Sequence, residues 1–215
     1  MNRNENIDRR YRGLQSKRAG EHFENMIEAS CIWYRAHGLA CIDKTPEPTK
    51  QLSKPNYKGQ FLACYTKAAQ PDYQGTIGGG RSVVFEAKHT DADRITYDRL
   101  TGDQIDDLEM HHRLGAVAFV LVSFGLEGYY RIPWEVWRDM KAIYGRKYIR
   151  PEEAERYRVP FTLGVIKFLD NLLLNEKEEA HIRLGACDDN CVICGEYAGE
   201  GAHVCLKCQV RGEKP

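Results

Sequence analysis

Residues 71–88 read PDYQGTIGGGRSVVFEAK. Ser82 to Lys88 is rich in β-formers and follows a glycine-rich turn, which predicts a strand. Side chains alternate along a strand. Glu86 and Lys88 therefore share one face, with Val83, Phe85 and Ala87 on the other. Asp72 comes from the preceding strand or its end and is brought alongside by the turn at Gly78-Gly79-Gly80. Two hard oxygen ligands with open positions suit Mg²⁺ (or Mn²⁺), since Mg²⁺ takes few protein carboxylates and keeps waters and phosphate oxygens. The main-chain carbonyl of Ala87, between the two side chains, is a further candidate ligand. A lysine beside such a metal can orient an attacking water or neutralise charge developing on a phosphate. The same residues equally describe a half-exposed hairpin with a surface salt bridge, so the motif alone does not decide between them.

The 215 residues fit one domain of ordinary size plus a small appendage. With 42% hydrophobic residues the chain can bury a core. No stretch approaches the ~18 consecutive apolar residues of a membrane helix. The N-terminal MNRNENIDRRYRG lacks the apolar run of a secretory signal, so an intracellular protein is expected. The formal net charge is zero, which argues against a uniformly basic nucleic-acid binder. Yet the charge is uneven. Arg3, Arg9, Arg10, Arg12, Lys17 and Arg18 crowd the first 18 residues, and Lys44, Lys50, Lys54, Lys58 and Lys67 crowd 44–67. Acid accumulates after residue 151. Such asymmetry points to a polyanion-binding half, or to a solvated arm and loop.

Residues 1–16 read as a flexible basic arm. Lys17 to His37 reads as a helix with Phe23, Met26, Ile27, Ser30 and Tyr34 on one stripe. Leu39 to Ile42 is a short strand. The stretch KTPEPTKQLSKPNYKG then breaks all periodicity, and loops of such length are functional or disordered; Phe61 to Tyr65 reads as a short strand within the loop. Thr101 to Arg113 is a helix with Thr101 as N-cap. Ala116 to Phe124 is a nearly continuous apolar run, read as a central strand buried on both faces. A strand at 128–132, a helix from Trp134 to Tyr144 and an amphipathic helix from Gly164 to Leu174 complete an α/β domain around a mixed sheet. Cys31 and Cys41 read as core residues.

With these elements laid out, the chain resembles the RecU family of Holliday junction resolvases, within the PD-(D/E)xK nuclease superfamily. The likeness runs from about Arg18 to Trp134. It rests on Gly20-x-x-x-Glu24, Lys44-Thr-Pro-x-Pro48, PDYQGT at 71–76, Phe85-Glu86-Ala87-Lys88 followed by Thr90, Gln104-x-x-x-Leu108, Gly115-x-x-x-Phe119 and Tyr129-Tyr130-x-Ile132-Pro133. The resemblance implies a restriction-endonuclease-like core over 17–175, with a mixed central sheet flanked by helices and a protruding stalk at about 46–70. It implies a cytoplasmic, homodimeric, Mg²⁺-dependent endonuclease, bacterial or phage-encoded, that resolves branched DNA by paired symmetric nicks in recombination and repair. By the same resemblance Asp72 and Glu86 are metal carboxylates and Lys88 the catalytic lysine. Glu24 is the first-helix carboxylate, and Gln104 contacts a phosphate or a metal-bound water. Arg9, Arg10, Arg12, Lys17, Arg18, Lys44, Lys50, Lys54, Lys58 and Lys67 are the expected DNA-binding residues. Two competing readings stay open: a related nuclease acting on flaps, nicks or duplex, and a non-catalytic junction binder.

Other residues invite functional readings that simpler ones match. Glu24, with Glu21 and Glu28 close by, also reads as one surface acid among several, and Gln104 as an exposed first-turn residue. His111-His112 at a helix end reads as surface favoured by the helix dipole. Gly78-Gly79-Gly80 lacks the sequel of a phosphate-binding loop. Outside the resemblance, Cys191-x-x-Cys194 and Cys205-x-x-Cys208 are two pairs that together close a tetrahedral structural Zn²⁺ site over 186–211. The segment is too short for a core of its own, so metal would supply its folding energy. Cys187 and His203 are spare ligands, a redox pair is the alternative, and a protein partner is a candidate role for the module.

Overall fold

The structure is a computed structural model that describes residues 3–46, 49–65, 70–170 and 172, with the side chains of 3–12 and of Tyr65 outside the description. Its first element is α1 (Arg3–Ala36), a helix of 34 residues. The stripe of Phe23, Ile27, Ser30 and Tyr34 is buried, as its spacing predicts. The helix starts well before Lys17, so residues 3–16 are helical rather than a flexible arm. No proline interrupts 3–36, and only Gly13 and Gly20 weaken helix propensity there. Gly38, at φ 66°, lies just beyond the helix end.

Strands β1 (Ala40–Lys44), β2 (Thr49–Gln51), β3 (Ala63–Tyr65), β4 (Tyr73–Ile77), β5 (Ser82–Thr90) and β6 (Ile95–Thr96) follow. Next come α2 (Gly102–Arg113), β7 (Val117–Phe124), β8 (Gly128–Pro133), α3 (Trp134–Arg138), α4 (Met140–Tyr144), β9 (Tyr148–Ile149), α5 (Pro151–Ala154), β10 (Phe161–Thr162) and β11 (Val165–Ile166). The main sheet has the order β1-β4-β5-β7-β8. Its one parallel pair is β5–β7, and the chain crosses between them through α2, so the sheet is mixed as expected. β1 comes so close to β4 that a Cβ at Gly75 would meet the Cys41 carbonyl oxygen at 2.1 Å. Glycine is required at that contact.

The strand period sorts the core into two layers. On one face Phe85 stacks between Tyr73 and Phe119 at ring separations of 4.8 and 4.7 Å, pairs worth about 0.5–1.5 kcal/mol each beyond burial. On the other face Val84, Val120 and Val122 pack with Leu108 of α2 and with Trp134 and Trp137 of α3. Glu86 and Lys88 belong to this second face by alternation.

Three local expectations are corrected. The helix at 134–144 is two short helices separated at Asp139. Residues 164–168 are not helical. Phe161–Thr162 pairs with Val165–Ile166 in a hairpin, whose two central residues, Leu163 and Gly164, have φ of 52° and 80°. Two positive φ values make the tight hairpin turn, and β-branched Val165 and Ile166 fit a strand. Cys41 is exposed, while Cys31 is buried as expected. The aperiodic stretch after Lys44 holds a two-stranded ribbon, β2–β3, on which Leu52, Tyr57, Phe61 and Leu62 are exposed.

Cys187, Cys191, Cys194, His203, Cys205, Cys208 and Lys67 lie outside the described residues, as does most of 169–215, the second of the two units into which the chain divides. Among the described residues no helix is long and apolar enough to cross a membrane.

Candidate active site

The register of β4 on β5 creates the site. Pairing ends at Tyr73 opposite Phe85, while β5 continues to Thr90. One edge of β5 is thus left open beyond Phe85, and Asp72 fills it. The Ala87 main-chain N–H donates to Asp72 Oδ2 at 3.0 Å, and the Asp72 N–H donates to Glu86 Oε1 at 3.3 Å. Lys88 Nζ bridges both carboxylates, 2.7 Å from Glu86 Oε2 and 3.4 Å from Asp72 Oδ2. Gln104 Nε2 donates to Glu86 Oε2 at 2.5 Å.

Gln104 is held from behind by its own helix terminus. Its main-chain N–H donates to Thr101 Oγ1 at 3.3 Å, and its Oε1 accepts from the Thr101 N–H at 3.1 Å. This reciprocal capping box satisfies two otherwise orphaned donors. It also leaves the Gln104 NH₂ free to reach Glu86. One side chain therefore ends a helix and braces the site.

Burial sets the electrostatics. The Glu86 side chain is 0% exposed, Lys88 14% and Asp72 36%. Burial pushes the Glu86 carboxyl up to about 8; the Lys88 ammonium opposes that rise and the Asp72 carboxylate adds to it. A fully buried carboxylate that one lysine does not hold ionised is under-compensated, and a divalent cation would complete it. The donors fit such an ion: two carboxylates with hard oxygens, beside an open strand edge. In an extended strand the N–H and C=O of one residue point to the same edge. Because the Ala87 N–H meets Asp72, its carbonyl faces that same side. Among the described residues no group of three or more His, Cys, Asp or Glu side chains is placed to hold a metal, so the protein donors here number two carboxylates plus main chain.

Asp72, Glu86, Lys88 and Gln104 are thus brought together. Glu24 is placed differently: its carboxylate takes Lys44 Nζ at 2.7 Å, and Lys44 also reaches Glu28 at 3.3 Å. Lys44, expected on DNA, is here the counter-ion of two acids. Its ammonium is held above its usual range, chiefly by the hydrogen bond to Glu24. The Glu28 partnership was missed in the sequence. Its signal was there, since like charges four apart on a helix repel and call for a cation between them.

Of the other expected DNA-binding residues, Lys17 pairs with Glu21 at 3.8 Å. Arg18 is exposed on α1, and Lys50, Lys54 and Lys58 are exposed on the β2–β3 ribbon and its connection. Arg9, Arg10 and Arg12 lie on the first part of α1. His112 faces Glu135 at 3.6 Å, consistent with a surface role.

The family model for Recombination protein U, RecU, matches residues 18–173. A protein of a Geobacillus strain named Holliday junction resolvase RecU is 29% identical over 172 residues, covering 74% of this chain and 83% of that one. Its namesake from Bacillus licheniformis is 26% identical, covering 71% and 83%. The namesake from Streptococcus oralis is 32% identical over a shorter stretch, 49% and 55% of the two chains. Among solved structures, Archaeoglobus fulgidus Hjc, a Holliday junction resolvase, covers 64% of this chain and 93% of its own, with 15% identity and a TM-score of 0.41. The match of the family model takes in every strand of the main sheet together with Asp72, Glu86, Lys88 and Gln104, and on it the chain belongs to the RecU family.

Proposed function

We propose that this protein is a divalent-metal-dependent endonuclease that resolves four-way DNA junctions by paired, symmetric nicks, in recombination and DNA repair. The observation that carries the reading is the convergence of Asp72, Glu86, Lys88 and Gln104 on an open strand edge. Membership of the RecU family and the names of its relatives supply the substrate class.

Asp72, Glu86 and the Ala87 carbonyl would hold Mg²⁺ or Mn²⁺. When bound, the ion supplies Lewis-acid polarisation of the phosphate and a nucleophile at neutral pH. The protein's own groups do the positioning. Lys88 Nζ, already within hydrogen-bond reach of both carboxylates, orients the attacking water and offsets charge developing on the phosphate. Gln104 keeps the Glu86 carboxylate in a single orientation. Glu24 joins the site when its pair with Lys44 opens, which also frees Lys44 for a phosphate.

The β2–β3 ribbon serves as the stalk. Its exposed Leu52, Tyr57, Phe61 and Leu62 suit the unstacked centre of a branch point, and Lys50, Lys54 and Lys58 suit the surrounding phosphates. A C₂ homodimer would present two sites to opposed strands of a two-fold junction. The C-terminal cysteines bind structural Zn²⁺, and the protein acts in the cytoplasm.

Cleavage of a labelled synthetic four-way junction, with duplex and flap controls, tests the reading in Mg²⁺ for wild type and Asp72→Asn. Symmetric nicks on the junction, lost in the variant while binding persists, are the expected result. Equal cleavage of all substrates would replace junction resolution with a general nuclease. Tight binding without cleavage in Mg²⁺ or Mn²⁺ would leave a junction-binding protein.

A further inference from the structure

Tyr148 of β9 is surrounded by arginines. The guanidinium carbons of Arg146, Arg94 and Arg150 lie 4.6, 5.1 and 5.9 Å from its ring centroid. Lys147, between two of them in sequence, sits 5.1 Å from the ring of Tyr97. The cations come from two separate segments, joined by the pairing of β6 with β9. Arg146 is paired with Glu153 and also donates to the Tyr144 carbonyl. Among the described residues Arg94, Lys147 and Arg150 form no ion pair, although Asp93 and Asp98 share the segment of Arg94. All three are exposed.

Stacking on an aromatic face attracts a guanidinium and restricts it, so less freedom is lost when its donors meet an anion. Several like charges gathered at one ring repel each other; the Glu153 carboxylate pairs directly with Arg146 and acts on Arg150 without a direct ion pair. A polyanion would relieve that repulsion. The location selects which one. Ile95 and Ile149, the core residues of β6 and β9, are buried with Leu108, Val120 and Val122, on the face of the sheet that carries Glu86 and Lys88. The turn after β6, Tyr97–Arg99, leads directly into Thr101 and Gln104, which brace Glu86.

We infer that the β6–β9 ribbon is a second phosphate-binding platform, which seats the backbone of a DNA arm beside the nick through Arg94, Lys147 and Arg150. The inference rests on the nuclease reading and adds to it a contact surface separate from α1 and the β2–β3 ribbon. The pattern YGRKYIR at 144–150 carries it in sequence, just ahead of the acidic stretch that follows residue 151.

The test uses the full chain, wild type and Arg94→Gln with Arg150→Gln. Fluorescence anisotropy follows binding to a labelled four-way junction from 50 to 200 mM salt, with Ca²⁺ in place of Mg²⁺. Each neutralised phosphate contributes about 0.9 to the slope of log affinity against log salt. Loss of two contacts should lower the slope by about 1.8, so that wild type loses roughly tenfold more affinity than the variant over this range. Should the double variant fail to melt cooperatively, Arg150→Gln alone carries the test, with a slope change of about 0.9. A folded variant with the wild-type slope, while wild type binds and cuts junctions, overturns the platform and leaves the nuclease. Wild type that neither binds nor cuts junctions overturns both.

Discussion

Two carboxylates and one lysine occur together twice among the described residues. Asp72 and Glu86 share Lys88 on β4 and β5. Glu24 and Glu28 share Lys44, between α1 and the end of β1. The ion-pair distances are alike, 2.7 and 3.4 Å in the first cluster, 2.7 and 3.3 Å in the second. Their surroundings are not. The side chains of the second are 43–45% exposed, whereas Glu86 is 0% exposed. Water solvates the Glu24 cluster and holds its charges cheaply. In the Glu86 cluster water is replaced by Val84, Val120 and a glutamine, and the carboxyl is driven up to about 8. Composition is the same in both, and burial shifts the carboxyl of only one of them.

The largest expected effect separates the clusters by chemistry. Asp72→Asn or Lys88→Ala should lower single-turnover cleavage of a junction by about 10³-fold or more. Glu28→Gln should leave it within about threefold, because exposed ion pairs contribute about 1 kcal/mol or less. Comparable losses in all three variants would end the distinction.

A second expectation concerns pH. The folded Glu86 carboxyl lies above its ordinary value, so folding favours the protonated form. Its stabilising contribution is complete below about 4.5, its ordinary value, and is lost as pH rises through about 8. The melting temperature of metal-free protein should therefore fall from pH 5 to pH 9. Glu86→Gln should remove that fall, a difference of roughly 4 kcal/mol. Saturating Mg²⁺ should restore wild-type stability at the alkaline end. A flat wild-type profile in the absence of metal would contradict the account of Glu86.

Gln104→Ala removes a cap and a donor to a buried carboxylate. Urea unfolding should show a loss of about 1–3 kcal/mol, with slower cleavage as the Glu86 carboxylate loses its brace. Thr101→Ala breaks the cap but leaves the Gln104 amide, so it should cost about 1 kcal/mol and slow cleavage less.

The smallest effect belongs to the exposed cluster. Lys44→Ala should change stability by less than about 1 kcal/mol, and 0.5–1 M salt should erase the difference. A larger, salt-insensitive change would show that the pair is better shielded than its exposure indicates.

Much of the site was legible because its logic is local. Glu86 and Lys88 are two apart on a strand, so alternation alone puts them on one face. Thr101 precedes a helix with Gln104 three residues on, which is itself a capping signature. The nearly continuous apolar run at 116–124, rich in valine and aromatic residues, reads as a buried central strand. Less legible were elements in which competing local signals were close. The stretch at 161–168 has helical spacing of apolar residues, yet Leu163-Gly164 turns it back on itself as a hairpin. At residues 3–16 density of charge suggested an arm, and the absence of proline let the helix continue.

The sequence by itself therefore determined the α/β class, the family, the pairing of Glu86 with Lys88 on one strand face and the capped helix that carries Gln104. The last two follow from residues within a few positions of one another, where strand and helix periods fix which side chains are neighbours, and the class and the family follow from the order of such local signals along the chain. The tertiary structure alone decided that Asp72 caps the open edge of β5 through the Ala87 N–H, that Lys44 rather than Lys88 holds Glu24, and that Arg94 meets Tyr148. Those contacts join distant segments, and their partners are chosen by strand register and by the exclusion of water, which no local pattern encodes.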